Sequence, residues 1–339
     1  MYVFDAHSDI LADTAMKRER GLTGNFVRDH LPELKKGGIG GTILVLWVEP
    51  AYFNNPRKRF ADIIAYTEAE IKEMGSSVCV AKSIQDIETA EKEGKLYVIL
   101  GVEGLSGIGS NADHIYSLYQ MGVRHISLTW NEKNDLATGI GSWEAARGLT
   151  REGKKAITIM DRLGMMIDVS HLNEKSFWDV CEHSAGTIIA SHSNARKVCN
   201  AKRNLTDDQI LAIAGKRGVI GINSWSSFVA DENADIYGLV RHIDYMVTLA
   251  GVDHVGFGFD FCNYFDSDPT TTEPDQAVIF TKGIETCERV PQLIELLYKQ
   301  GYSREDIEKM AYRNFRRVIN EVLSYPSLSE AKDMKFCIS

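Results

Sequence analysis

Histidine and acidic residues recur at one kind of location in this chain, directly after apolar, β-prone runs. The residues at these locations are His7, Asp9, Glu103, His171, His192 and Asp260. Imidazole and carboxylate groups are the donors that Zn²⁺ and related divalent ions prefer, and a carboxylate can bridge two such ions. The pattern therefore predicts a metal centre that is assembled from distant parts of the chain.

The first stretch, "YVFDAHSDI" at residues 2–10, shows the pattern most compactly. Side chains alternate along an extended strand, so His7 and Asp9 are predicted to point to the same side. A single histidine at a strand end is more often a hydrogen-bonded structural residue than a ligand. The recurrence of the pattern at four further strand ends favours the metal-binding interpretation.

The elements that would position these residues are eight apolar runs, which are nearly continuous in apolar character, as strands covered on both faces must be. The runs are 2–7, 42–47, 96–102, 125–129, 165–170, 187–191, 218–223 and 254–259. Helical patterns with polar faces separate them, for example at 56–74, 111–121, 151–163, 173–182, 206–216 and 235–250. Alternating strands and helices of this number predict an α/β fold, a (β/α)8 TIM-type barrel, whose active sites lie at the carboxyl ends of the strands. A doubly wound sheet stays open as the alternative.

One domain is predicted over residues 1–339, because no repeat, low-complexity tract or linker divides the chain. A periodic closing helix is predicted at about 303–323, with Ser303 as its cap. The long loops 48–56 and 261–289 follow the second and eighth strands, and 261–289 is expected to lie over the barrel mouth. Each loop is either a lid or specificity loop over the site, or else a surface excursion or a subunit contact.

Composition excludes several other functions. The chain has a net charge of −9 and no basic stripe of the kind that nucleic-acid-binding proteins carry. The six cysteines form no C-x-x-C pair, which is typical of a reducing compartment. No run approaches the roughly 18 apolar residues of a membrane span, and neither a signal peptide nor an anchor is recognised. We therefore expect a cytoplasmic protein without a membrane anchor.

Other motifs add little. The glycine-rich "GLSGIGS" at 104–110 lacks a complete phosphate-binding pattern and is interpreted as a flexible loop beside the site. No G-x-S-x-G nucleophile motif occurs, which argues against a serine hydrolase. The remaining histidines are interpreted as structural or exposed: His30, His114, His125, His183, His242 and His254.

The ordered motifs "DAHSD", "GVEG", "DVSH", "SHSNAR" and "HVGFGFDF" resemble those of the membrane (renal) dipeptidase family, a zinc-dependent branch of the amidohydrolase superfamily. The resemblance covers nearly the whole chain and implies two Zn²⁺ ions per chain. It implies one ion at His7, Asp9 and Glu103, and a second at Glu103, His171 and His192, so that Glu103 bridges them.

The resemblance also implies the reaction, which is hydrolysis of small dipeptides, with L-D dipeptides as an option, by water activated between the two metal ions. Asp260 would transfer the proton to the leaving amine, and Arg203 would bind the free carboxylate of the substrate. The implied partners are a dipeptide substrate and, as an option, a second copy of the chain in a homodimer; nucleic acid is not expected. Two alternatives stay open: another amidohydrolase, such as an N-acyl-amino-acid deacylase, and a catalytically weak metal-binding scaffold.

One stretch departs from the family pattern. In "SLTWNEKND", Trp130 stands where better-known members often carry a histidine that stabilises the developing oxyanion. Either the indole N–H donates to that charge, or Trp130 packs as an aromatic wall of the pocket, which we favour. If Trp130 does not donate, stabilisation of the oxyanion must come from the metal, from water or from the adjacent Asn131, which is thereby a further candidate for binding the substrate.

Overall fold

The computed structural model describes residues 1–143, 147–272 and 277–325. Within them, a nine-stranded sheet forms in which all strand pairs are parallel. The strands are β1 (Val3–Ser8), β2 (Ile39–Trp47), β3 (Val78–Val80), β4 (Leu96–Glu103), β5 (Val123–Ser127), β6 (Met166–Asp168), β7 (Ile188–Ile189), β8 (Ile220–Ile222) and β9 (Val255–Phe257). All eight apolar runs noted in the sequence form strands, and only the short β3 was not predicted.

The strand order closes the sheet into a barrel. Neighbouring strands run in the order β7-β6-β5-β4-β2-β1-β9-β8, and β3 pairs with β4 outside this series. Ala190, directly after β7, pairs with Ile220 of β8, so the two ends of the series meet. This arrangement confirms the predicted TIM-type barrel and excludes an open, doubly wound sheet, because such a sheet would keep two unpaired edges.

Helices surround the barrel, and along the chain most strands are followed by one or more helices. They are α1 (Ile10–Glu19), α2 (Leu31–Lys36), α3 (Pro56–Met74), α4 (Ile84–Glu93), α5 (His114–Met121), α6 (Arg151–Leu163), α7 (Glu174–His183), α8 (Asp207–Gly215), α9 (Ser226–Val229), α10 (Ile236–Ala250), α11 (Val290–Lys299), α12 (Arg304–Glu308) and α13 (Asn314–Leu323). No helix among the described residues is both long enough and apolar enough to span a bilayer.

The closing helix differs from the single element predicted at 303–323. Ser303 caps α12 as expected, since its side chain accepts a hydrogen bond from the Asp306 N–H. A turn of π-helix at Lys309–Arg313 then separates α12 from α13. Directly after this turn, the buried Asn314 side chain donates hydrogen bonds to the carbonyl oxygens of Val252 and Val255, at 2.7 and 2.8 Å. The interrupted helix is thereby attached to the segment that leads into β9.

The core has two layers that follow the alternation of the strands. Along β2, Ile43 and Val45 belong to one hydrophobic cluster, while Leu44 and Leu46 belong to the other. The first cluster also takes members from β1, β4, β6 and β7 and includes Phe315 of α13, so it fills the barrel interior. The second packs the outer faces of the strands against the helices.

Two glycines are required by a close approach of backbone to backbone. A Cβ atom on Gly221 of β8 would lie 1.9 Å from the carbonyl oxygen of Ser191, and one on Gly258 would lie 1.8 Å from the same oxygen. Only glycine leaves room for that carbonyl. The segment after β7 is therefore held tightly against β8 and the end of β9.

Candidate metal centre

The predicted ligands converge at the carboxyl ends of the barrel strands. They are supplied by β1 (His7), the N-cap of α1 (Asp9), the last residue of β4 (Glu103) and the segments that follow β6 (His171), β7 (His192) and β9 (Asp260). All are buried except Asp260, which is partly exposed. The structure thus brings together in space every residue that the sequence proposed as a ligand or proton carrier.

Asp9 reaches the site by a different route from the one predicted. The register between β1 and β2 shifts between Asp5 and Ser8, and Asp9 itself has φ −88° and ψ 15° as the N-cap of α1. Simple alternation along an extended strand therefore does not position it. His7 and Asp9 nevertheless face each other, with 3.7 Å between Nε2 and Oδ2.

Glu103 lies between the three histidines. Its Oε2 is 3.6 Å from Nε2 of His7. Its Oε1 is 3.0 Å from Nε2 of His171 and 3.4 Å from Nε2 of His192. One carboxylate thus presents a different oxygen to each of two groups, which is the geometry that a bridging ligand needs.

Asp260 completes the side of the site that includes His7. Its Oδ1 lies 3.9 Å from Nε2 of His7, and its Oδ2 accepts a hydrogen bond of 3.1 Å from the Asn223 side chain. Its backbone is left-handed, with φ 61°, a conformation that is uncommon outside glycine and often marks functional sites. Two groups of residues could each hold a metal ion, because within each group the ligand atoms lie within 4.8 Å of one another. The groups are His7, Glu103 and His192, and His7, Asp9 and Asp260.

Unpaired polar atoms at the site fit a divalent cation. Among the described residues, both ring nitrogens of His7, Oδ1 of Asp9 and Oε1 of Glu103 are buried without a hydrogen-bond partner. Such groups are costly to bury unless they are compensated. A cation bound by these nitrogen and oxygen donors would supply the missing interaction, and imidazole with carboxylate is a donor set that suits zinc.

The electrostatics of the site also call for positive charge. Burial raises the pKa of Glu103 well above its usual range, and nearby Asp9 adds to the shift although His7 opposes it. Burial disfavours the charged form of His7, but the carboxylates of Glu103 and Asp9 outweigh that effect and raise its pKa to about 10. The buried carboxylates therefore attract whichever cation is available, a proton or a metal ion.

The outer nitrogens of two histidines have partners that sequence reasoning did not identify. Nδ1 of His171 lies 2.9 Å from Oδ1 of Asn131, and Nδ1 of His192 lies 2.7 Å from Oγ of Ser191. Asn131 was predicted to contact substrate; its side-chain oxygen contacts a candidate ligand, and the residue also lines the cavity above the site, so the predicted role stays a prediction. The only sequence signal for Ser191 is its place directly before a histidine in "ASHS".

A small cavity of about 80 Å³ opens above the candidate ligands. Its walls include Trp47, Trp130, Trp225 and Phe228, and Thr270 from the long loop 261–289 also reaches it. Residues 273–276 of that loop lie outside the described residues. Trp130 packs with its ring centroid 5.4 Å from that of Trp47, as an aromatic wall would.

Arg203, the predicted carboxylate-binding residue, is buried beside His192, which lines this cavity. Its Nη1 donates to Oγ of Ser193 at 2.8 Å, and its Nη2 donates to the carbonyl oxygen of His192 at 2.9 Å. Its Nε is buried without a partner in the described structure. Burial lowers its pKa to about 10, although nearby carboxylates, Asp168 foremost, oppose the shift. The remaining N–H groups can still bind an anion, so the predicted role stays a prediction.

Comparison with known sequences identifies relatives over most of the chain. A family model described as membrane dipeptidase (peptidase family M19) matches residues 1–332. An uncharacterised protein from the pqqA 5′ region of Klebsiella pneumoniae is 32% identical over 293 residues, which are 84% of this chain and 98% of that protein. Dipeptidase tcpJ of Claviceps purpurea is 26% identical over 338 residues, which are 95% of this chain and 75% of that protein.

Solved structures share the fold. A metallopeptidase from Rhodobacter sphaeroides, liganded with a phosphinate mimic of the dipeptide L-Ala-D-Ala, superposes with a TM-score of 0.82 at 24% identity, over 95% of this chain and 99% of that one. The probable dipeptidase PvdM from Pseudomonas aeruginosa gives a TM-score of 0.80 at 21% identity, over 96% of each chain.

Proposed function

Because this chain belongs to the membrane dipeptidase family, peptidase family M19, we propose that it hydrolyses small dipeptides with two zinc ions bound at the centre described above. The observation that carries the proposal is the position of Glu103, which presents Oε2 to His7 and Oε1 to His171 and His192. In this proposal His7, Asp9 and Glu103 hold one ion, and Glu103, His171 and His192 hold the other.

The bound metal would supply Lewis-acid activation of a water molecule and of the scissile carbonyl. Asp260 would accept the proton of the attacking water and deliver it to the leaving amine. Its position supports this role, because Asn223 fixes one carboxylate oxygen while the other faces His7. Burial raises the pKa of Asp260, although His7 opposes the shift, so this carboxyl is a better proton acceptor than an exposed one.

Arg203 would bind the free carboxylate of the dipeptide. Two of its N–H groups are committed to Ser193 and the His192 backbone, so the guanidinium is fixed in place while Nε and the other N–H groups remain for an anion. A fixed cation at a set distance from the scissile bond would favour dipeptides over longer chains. We propose this role as the origin of the length preference.

The size of the cavity supports small substrates. A volume of about 80 Å³ between aromatic walls leaves little room for a bulky side chain. The Rhodobacter sphaeroides structure holds a mimic of L-Ala-D-Ala, and we include dipeptides with a D residue at the carboxyl end among the proposed substrates.

The test is hydrolysis of a panel of L-L dipeptides, L-D dipeptides and N-acyl amino acids by zinc-loaded protein, together with elemental analysis. We expect two equivalents of zinc and the highest kcat/KM on a small dipeptide. Faster cleavage of N-acyl amino acids would indicate a deacylase instead. Two bound zinc ions without cleavage of any substrate would favour the scaffold alternative, and the absence of bound zinc would contradict the proposal.

A further inference from the structure

Asp168, the last residue of β6, is buried next to the candidate metal centre and accepts several hydrogen bonds with both carboxylate oxygens. Its Oδ1 accepts from the backbone N–H and the hydroxyl of Ser170, at 2.9 and 2.6 Å, and from the N–H of Ser191 at 3.1 Å. Its Oδ2 accepts from the Ser191 hydroxyl at 2.5 Å and lies 2.9 Å from Nε2 of His125. A buried carboxylate with this many donors acts as an acceptor only.

This arrangement fixes the direction of the Ser191 hydroxyl. A serine has a single hydroxyl hydrogen, and here it points to Asp168. Towards Nδ1 of His192, at 2.7 Å, the Ser191 oxygen can therefore only accept. It follows that His192 carries its proton on Nδ1 and leaves Nε2 without one.

The bare Nε2 of His192 points into the candidate metal centre, 3.4 Å from Oε1 of Glu103 and 2.8 Å from Nε2 of His171. Without the contact to Ser191, the nearby carboxylate would favour the other tautomer, in which Nε2–H donates to Glu103. That tautomer cannot bind a metal ion through Nε2.

We propose that Asp168, acting through the Ser191 hydroxyl, sets the tautomer of His192 and so controls the metal affinity of the position formed by Glu103, His171 and His192. Asp168 and Ser191 are positioning residues, because neither contacts the proposed substrate or ion. The inference rests on the zinc site of the proposed function. It parallels the general observation that metal-binding histidines use their second ring nitrogen to fix their orientation.

Ser170 offers a matched control. It is buried like Ser191, and its hydroxyl also donates to Asp168. Its oxygen accepts from the backbone N–H of His192 at 3.3 Å, but among the described residues it makes no hydrogen bond to the ring of His192. Ser191→Ala and Ser170→Ala each remove one hydroxyl from the same carboxylate. Only Ser191→Ala removes the acceptor of the His192 Nδ1–H.

The experiment measures zinc affinity by competition with a chromophoric chelator, and the His192 tautomer by ¹⁵N NMR of the imidazoles in chelator-treated protein. We expect Ser191→Ala to weaken one of the two zinc equivalents by about 10- to 100-fold and Ser170→Ala to leave both nearly unchanged. Ser191→Thr, which keeps the hydroxyl, should restore the affinity. Circular dichroism verifies that each variant is folded.

The outcomes separate this inference from the proposed function. If the parent binds two zinc ions and Ser191→Ala binds both as tightly, the inference is wrong and the proposed function stands. Equal weakening by Ser170→Ala would likewise overturn it, because the effect would then follow from disturbing Asp168 in general. A parent that binds no zinc would overturn both.

Discussion

Nε2 of His171 lies 2.8 Å from Nε2 of His192, although the Nδ1 atoms of both rings are bonded elsewhere, to Asn131 and Ser191. With Nδ1 protonated on both rings, two lone pairs face each other at hydrogen-bond distance with no hydrogen between them. Such a pair is stable only when a cation lies close to both nitrogens. A bound metal ion would stabilise this contact, whereas two histidines without one would share a proton between these nitrogens.

Glu103→Gln should weaken both zinc positions, because a neutral amide with a single oxygen replaces the carboxylate whose two oxygens face the histidines on either side. We expect loss of bound zinc by elemental analysis and a fall in dipeptide kcat/KM of more than about 100-fold, beyond the usual effect of an outer partner. Glu132→Gln is the control: Glu132 is a nearby glutamate whose pKa is raised by burial, so that an uncharged replacement suits its site. Loss of one zinc only would contradict the bridging role.

Arg203→Lys should lower kcat/KM for dipeptides with a free carboxylate by about 10- to 100-fold, because one ammonium replaces a fork of N–H donors. Dipeptide amides should be affected far less, since they lack the anion. Arg196→Lys serves as the control, because Arg196 lies in the same segment and donates to the carbonyl oxygens of Asn204 and Lys202. Unchanged kcat/KM on dipeptides would remove Arg203 from the binding site.

Trp130→Phe should retain kcat to within a few fold, because the phenyl ring can still pack against Trp47 and His171. Loss of an oxyanion donor would instead lower kcat by about 10²- to 10³-fold. Steady-state kinetics on the best dipeptide distinguishes the two. The larger loss, with activity retained in Trp130→His, would assign Trp130 an N–H role and contradict the aromatic-wall interpretation.

His242 should make the protein less stable in acid. Burial lowers its pKa from 6.5 to about 4, and its ring contacts the Ala195 N–H and the Val229 carbonyl oxygen, both at 3.1 Å. Above pH 6.5 both the folded and unfolded states hold it neutral. As the pH falls from about 6.5 to about 4, the unfolded state binds a proton first, so the free energy of unfolding decreases by up to about 3 kcal/mol.

Urea unfolding at several pH values, in chelator-treated protein, measures this effect. His242→Gln should flatten the dependence between pH 6.5 and 4, whereas His183→Gln should not, because His183 is exposed. Identical slopes in the parent and His242→Gln would show that other groups cause the acid sensitivity.

The sequence predicted the barrel well because each strand is covered on both faces and therefore reads as an apolar run that ends in a polar side chain. The helix bounds Pro56–Met74 and Arg151–Leu163 match the periodic patterns, because a helix that buries one face shows apolar residues at helical spacing. The interruption at Lys309–Arg313 was not predictable, because it coincides with contacts from Asn314 to a loop more than fifty residues away.

The candidate ligands were found from strand ends, but their supporting contacts were not. His125 was interpreted as structural or exposed, and it is buried against Asp168, whose partner Ser191 in turn contacts His192. These pairings join three different strand ends, and no spacing within the sequence reveals them. The cytoplasmic location and the homodimer stay predictions.

The crowding of Gly221 and Gly258 against the Ser191 carbonyl bears on how such a protein can evolve. A single added methyl group at either position would displace the backbone of Ser191 and, with it, the hydroxyl that orients His192. Substitution of either glycine would therefore change which metal ion is bound, or weaken its binding, while every metal ligand and every substrate contact stays the same. A natural variant at Gly221 would keep every motif quoted above, whereas one at Gly258 would alter "HVGFGFDF", and we expect either to differ in metal affinity.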